Sequence, residues 1–296
     1  MPGELRLIIV SGLSGSGKSI ALHVLEDLGY YCIDNLPAGL LLAAVDEVRR
    51  YGGDSPQHLA VGLDARNRTE NLSALPELLS ELHEQNVKTD IIFLHASDEI
   101  LLKRYGESRR RHPLADKGTQ LRAAIASERA VLSDIQLSAD LIIDTSQSSI
   151  YELADIIRSR VDRRQSDSLS ILIESFGFKY GIPADADFVF DVRSLPNPYW
   201  TMKLRGYTGL DDEVQEFLDK QETFAEMFED IFQFLRRWVP HYESAKRGYL
   251  TVAIGCTGGQ HRSVYMAEKL AAALREHHEP ILTRHNSLPE HRLRPD

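Results

Sequence analysis

Residues 12–19 read Gly12-Leu13-Ser14-Gly15-Ser16-Gly17-Lys18-Ser19, a complete G-x-x-x-x-G-K-[ST] phosphate loop. Upstream, Leu5-Arg6-Leu7-Ile8-Ile9-Val10 is a short apolar run suited to a buried parallel strand. Downstream, Ile20 to Leu28 carries apolar residues at helical spacing and stops at Gly29, a good helix terminator. Strand, glycine-rich loop and helix form the context the motif requires. In it, the N–H groups of Gly15, Ser16, Gly17 and Lys18 surround a β-phosphate, and the helix N-terminus adds favourable dipole charge. Lys18 reaches the β- and γ-phosphates, and the Ser19 hydroxyl ligates Mg²⁺. Gly12 through Ser19 are thus the expected ATP loop, with Lys18 and Ser19 as expected catalytic groups and Ser19 as metal ligand.

Working outward, the first half alternates strands and helices. Strands are expected at 30–34, 58–63, 90–94 and 141–144, with helices near 72–85, 98–105, 119–135 and 149–161. Such alternation implies right-handed crossovers and a mainly parallel sheet. The polar stretch 158–170 reads as a helix end and a linker. The pattern then restarts, with strands at 171–176, 188–192, 249–254 and 280–283. Helices are expected at 212–219, at 223–238 closed by Pro240, and at 263–277. The expected fold is α/β: a kinase-like P-loop domain over 1–163 and a second α/β domain over 164–296.

The 296 residues suffice for two cores, and 43% hydrophobic with 26% charged residues is ordinary globular composition. No apolar stretch reaches the roughly 20 residues of a membrane span. The N-terminus leads straight into the first strand, so no signal peptide is expected. Two cysteines argue against a disulfide scaffold and for a reducing, cytoplasmic setting. A net charge of -10 excludes nucleic-acid binding by bulk charge, so any RNA contact must come from a local basic patch.

A phosphate loop needs a carboxylate at a neighbouring strand end to hold Mg²⁺ through water. Asp34, Asp64 and Asp144 all qualify by position, and each is also a reasonable turn aspartate. The basic run Arg104, Arg109, Arg110, Arg111 and His112 could be a phosphoryl-stabilising lid or a solvated helix end. A second loop, Cys256-Thr257-Gly258-Gly259-Gln260-His261-Arg262-Ser263, again joins a strand to a helix, an anion-binding layout. Its C-x5-R-[ST] spacing matches cysteine-dependent phosphatases, but no His precedes the Cys. A phosphate pocket made by Cys256, Thr257, Gly258, Gly259, His261, Arg262 and Ser263 is therefore favoured over phosphatase catalysis. In the tail from Thr283, Arg284, His285, Arg292 and Arg294 are candidate RNA-phosphate contacts, diluted by Glu290 and Asp296.

These motifs stand in one order with Tyr31-Cys32-Ile33-Asp34-Asn35-Leu36-Pro37, Asp64-Ala65-Arg66-Asn67, Arg110-Arg111-His112-Pro113-Leu114, Glu174-Ser175-Phe176-Gly177-Phe178-Lys179-Tyr180-Gly181-Ile182-Pro183, Asp191-Val192-Arg193 and Leu195-Pro196-Asn197-Pro198. The chain closely resembles the RapZ family of bacterial RNase adapters and P-loop nucleotide-binding proteins, nearly end to end. The resemblance implies binding and slow hydrolysis of ATP and GTP, with GTP assigned to Asp64, Ala65, Arg66 and Asn67. Asp64 is then also a catalytic carboxylate. It further implies a small regulatory RNA presented to RNase E, sensing of glucosamine-6-phosphate by the second domain, and self-association. A small-molecule kinase is the alternative, supported by Asp34 and the basic run.

Overall fold

The computed structural model describes residues 5–51, 57–66, 74–108, 111–115, 120–161 and 168–288. The chain divides into two compact units, Met1–Asp162 and Arg163–Asp296.

The first unit is built on β1 (Leu5–Gly12), the run that precedes the glycine loop. It lies between β3 (Gln57–Gly62) and β4 (Val87–His95), with β2 (Tyr31–Ile33) and β5 (Leu141–Asp144) at the edges. All four pairings are parallel, in the order β2-β3-β1-β4-β5. Being inside the sheet explains why β1 reads as a continuous apolar run rather than an alternating one. Leu5, Leu7, Ile8, Ile9 and Val10 have no solvent exposure. The helices are α1 (Lys18–Asp27), α2 (Leu41–Tyr51), α3 (Leu75–Glu84), α4 (Asp98–Ser108), α5 (Leu121–Val131), α6 (Ser133–Leu137) and α7 (Ile150–Val161). Ser149 opens α7 with a reciprocal cap: its Oγ accepts from Glu152 N–H at 3.2 Å, and its own N–H donates to the Glu152 carboxylate at 2.7 Å.

The single helix expected over 119–135 is two helices, α5 and α6. The break falls at Leu132, where the Ser133 hydroxyl donates to Ala130 O at 2.9 Å and competes with the helical ladder. Helix α2 occupies a stretch where no element was expected.

The second unit repeats the plan. Strands β6 (Ser170–Gly177), β7 (Phe188–Asp191), β8 (Tyr249–Cys256) and β9 (Ile281–His285) form a parallel sheet in the order β7-β8-β6-β9. This is the same relative order as β2-β3-β1-β4. Helices α8 (Asp212–Asp219), α9 (Glu222–Ser244) and α10 (Arg262–Leu274) complete it. Ile171, Ile173, Leu250, Val252 and Ile254 share a core with Leu235 and Val239 of α9 and Met266 and Leu270 of α10. Pro240 does not close α9, which runs four residues further. Proline removes one helical bond, to the carbonyl of Arg236. Both residues are exposed, so water can satisfy that carbonyl, while buried Val239 keeps the turn docked.

Candidate functional site

The glycine loop leaves β1 at Gly12, whose φ of 139° lies in the left-handed half of backbone space. A Cβ there would strike the carbonyl of Leu94 on β4, so only glycine lets the two backbones approach. Four of the loop carbonyls are held by donors. Gly12 O accepts from Lys18 Nζ at 2.7 Å, and Leu13 O from Ser16 N–H at 3.0 Å. Gly15 O accepts from Arg104 Nη1 at 2.9 Å, and Ser16 O from the Thr145 hydroxyl at 3.0 Å. With those carbonyls taken, several loop amides are left over. Among the described residues, no hydrogen bond takes the N–H of Gly15, Gly17, Lys18 or Ser19. Open amides at a helix N-terminus are a cradle for a polyanion. The exposed Ser19 hydroxyl stands on the first turn of α1, so the donor set fits a magnesium-bound polyphosphate.

Lys18 rests on the loop's own carbonyl. Burial lowers its pKa, while the Glu128, Asp64 and Asp34 carboxylates pull it back upward. Asp64 lies two residues beyond β3, the strand beside β1, and is 4% exposed. It accepts from Arg66 N–H at 2.8 Å, Arg66 Nε at 2.8 Å and Arg66 Nη2 at 2.5 Å. Ala65 is buried and Arg66 exposed; Asn67 lies outside the described residues. Asp34 ends β2 and is exposed. Asp144, at the end of β5, accepts from Ser146 N–H at 2.9 Å and Oγ at 2.5 Å, the turn-forming alternative.

The basic run also divides. Arg104 donates to the loop at Gly15 O and to Thr145 O at 2.6 Å. Arg111 is exposed and His112 buried. Arg109 and Arg110 lie outside the described residues. Glu128, Tyr105 and Thr145 were not singled out from the sequence. Glu128 had a readable signal, since it is a charged residue on the apolar stripe of Ala124 and Ile125.

In the second unit, the loop after β8 packs against the end of β6. A Cβ on Gly177 would meet the Gly258 carbonyl carbon at 2.7 Å. Cys256 Sγ lies 3.1 Å from Ser263 Oγ and accepts from Gly259 N–H at 3.2 Å. Burial pushes the thiol pKa up, but these hydrogen bonds and nearby Arg262 outweigh it, leaving the thiol below its ordinary value. Arg262 Nη1 donates to Arg193 O at 2.8 Å and Leu195 O at 2.9 Å; Nη2 lies 3.4 Å from Thr257 Oγ1. The guanidinium therefore braces the loop, unlike an arginine that forks a transferring phosphate. His261 and Ser263 are buried, whereas Thr257 is exposed and Gly258 half-buried.

Arg284 and His285 are not tail residues. Both belong to β9, and their side chains are spent inside the unit. Arg284 Nη2 donates to Glu174 Oε2 at 2.5 Å and to Asp185 Oδ2 at 3.3 Å. His285 bridges Ser175 Oγ at 2.8 Å and Glu268 Oε1 at 3.0 Å. So placed, neither presents a donor to an RNA phosphate, which corrects the expectation for these two. Arg292 and Arg294 lie outside the described residues. Among the described residues, no group of three or more His, Cys, Asp or Glu could hold a metal ion, and no helix is long and apolar enough to cross a membrane.

Fold and loop together define a two-unit α/β protein whose first unit is of the kinase-like P-loop type. Residues 5–165 match the RapZ-like N-terminal domain and residues 169–289 the RapZ C-terminal domain. The chain belongs to the RapZ family. It is 49% identical over 286 residues to a nucleotide-binding protein of Hahella chejuensis, covering 97% of this chain and 100% of that one. It is 52% identical over 288 residues to one of Halorhodospira halophila, covering 96% and 99%. Among solved structures, a Janibacter sugar kinase aligns over 53% of this chain and 95% of its own, with 16% identity and TM-score 0.36. A shikimate kinase of Bacteroides thetaiotaomicron covers 53% and 98%, with 14% identity and TM-score 0.36.

Proposed function

We propose that the chain is a cytoplasmic nucleotide-binding regulator that binds and slowly hydrolyses ATP and GTP. The observation that carries this is the loop 12–19, with four of its carbonyls held and four of its amides without a hydrogen bond. That relatives at about half identity are called nucleotide-binding proteins supports it. The triphosphate lies along Gly12–Ser19, and Lys18 leaves Gly12 O to meet the β- and γ-phosphates. Water oriented by Asp64, just beyond β3, attacks the γ-phosphorus as the bond to the β,γ-bridging oxygen breaks, releasing the nucleoside diphosphate, inorganic phosphate and a proton to solvent. Ser19 would hold Mg²⁺, which would supply neutralisation of the developing charge. Asp64–Asn67 line the guanine-nucleotide site that the family resemblance implies. On the same ground, the loop 256–263 takes a phosphorylated amino sugar such as glucosamine-6-phosphate. The family's small regulatory RNA, its delivery to RNase E and self-association belong to this reading too. RNA contact then falls to residues other than Arg284 and His285.

The test is Lys18→Ala, read by titration with fluorescent ATP and GTP analogues. The variant is expected to lose binding, and normal affinity would sink the assignment. A small-molecule kinase is the second reading, favoured by exposed Asp34 close enough to act on Lys18. Product analysis separates the two: free phosphate released without an acceptor supports hydrolysis, and stoichiometric transfer to a metabolite supports the kinase.

A further inference from the structure

Three glycines make the phosphate loop permissive, so contacts from outside must impose its shape. Arg104 and Thr145 hold its later carbonyls. Its earlier arm is held by a carboxylate that the motif does not contain. Glu128 of α5 has no solvent exposure. Its Oε2 accepts from Ser14 N–H at 2.9 Å and lies 3.0 Å from His112 Nε2, while its Oε1 accepts from the Ser14 hydroxyl at 2.6 Å. His112 Nδ1 accepts from Leu114 N–H at 3.2 Å, so Nε2 carries the proton and donates to Glu128. The His112 side chain is wholly buried, with the Tyr105 ring 5.3 Å away. One carboxylate thus joins the loop, α5 and the segment 111–115. Of the three acids acting on Lys18, Glu128 acts most strongly.

We propose that Glu128, seated by His112, is a positioning residue of the nucleotide site: it fixes the Leu13–Gly15 arm so that the following amides stay open to phosphate. This rests on the nucleotide reading above. Glu128 touches no reacting atom and acts only through Ser14. A glutamine can reproduce the geometry, with its carbonyl taking the Ser14 and His112 N–H groups and its NH₂ donating to Ser14 Oγ. An alanine strands three buried donors.

The experiment titrates the full chain and its Glu128→Ala, Glu128→Gln and Lys18→Ala variants with a fluorescent ATP analogue, alongside melting curves and steady-state hydrolysis. Glu128→Ala is expected to weaken binding at least tenfold and to raise KM more than it lowers kcat. Glu128→Gln is expected to recover most of that loss. Wild-type affinity in Glu128→Ala would overturn the proposal, as would an equal loss in Glu128→Gln. If Glu128→Ala does not fold, His112→Phe carries the test, with at least threefold weakening expected and wild-type affinity overturning. A wild-type chain that binds no nucleotide removes the underlying reading and this one together. Wild-type binding that Lys18→Ala loses and Glu128→Ala keeps removes this one alone.

Discussion

Glu174 sits in the middle of β6 with no exposure, beside Arg284, Asp185 and Asn286. Burial raises its carboxyl pKa to about 7 from an ordinary 4.5, with Arg284 pulling back and Asp185 pushing the same way as burial. Between these two values the folded state holds more proton on this group than the unfolded state does. Unfolding free energy must then fall as pH rises through that window. The sign is opposite to that of an ordinary ion-paired carboxylate. At about 1.4 kcal/mol per unit, a separation of this size amounts to roughly 3 kcal/mol. Glu174→Gln keeps an acceptor for Arg284 and removes the titration. The stability of wild type minus that of Glu174→Gln should therefore drop by up to about 3 kcal/mol from pH 4.5 to 7. Urea unfolding followed by tryptophan fluorescence measures it, and both tryptophans, Trp200 and Trp238, lie in the second unit. A difference that stays flat or rises with pH would refute the reasoning.

Gly259 has φ 69°, and a Cβ there would strike Ser287 Oγ and the Gly177 nitrogen, so Gly259→Ala should cost at least about 1–3 kcal/mol in the second unit. Gly258→Ala, with open space at its Cβ, should be near neutral in the same fluorescence assay. Thr145→Val removes the hydroxyl that meets Ser16 O at 3.0 Å and His95 O at 3.1 Å, for about 1–3 kcal/mol by calorimetry of the first unit, with weaker nucleotide binding.

The sheet strands and the phosphate loop were legible because apolar runs and glycine spacing are local signals. Strand β5 and helix α8 match their expected bounds. What failed turned on surroundings that the local pattern does not carry. Pro240 looks like a stop until Arg236 is seen to face water. Arg284 looks like a solvated cation until Glu174 and Asp185, 110 and 99 residues away, are found against it. Arg104 belonged to a basic run by sequence, and its contact to Gly15 O, 89 residues away, was not legible there. In the site itself, the motif named the loop and its open amides. It was silent on Glu128, 114 residues from Ser14, which holds them.

The shared strand order has a consequence for synthesis on the ribosome. In each unit the first strand made is an inner one. β1 finds its neighbours only once residues 57–62 and 87–95 have emerged, and β6 only once 249–256 and 281–285 have. Each apolar first strand therefore waits with both edges unpaired, and long-range pairing of this kind is slow and exposed to aggregation. For the second unit the wait lasts until residues 281–285, because β9 closes one side of the strand that carries Glu174. A ribosome that stops short of β9 would release a sheet whose buried, charged inner strand has become an open edge.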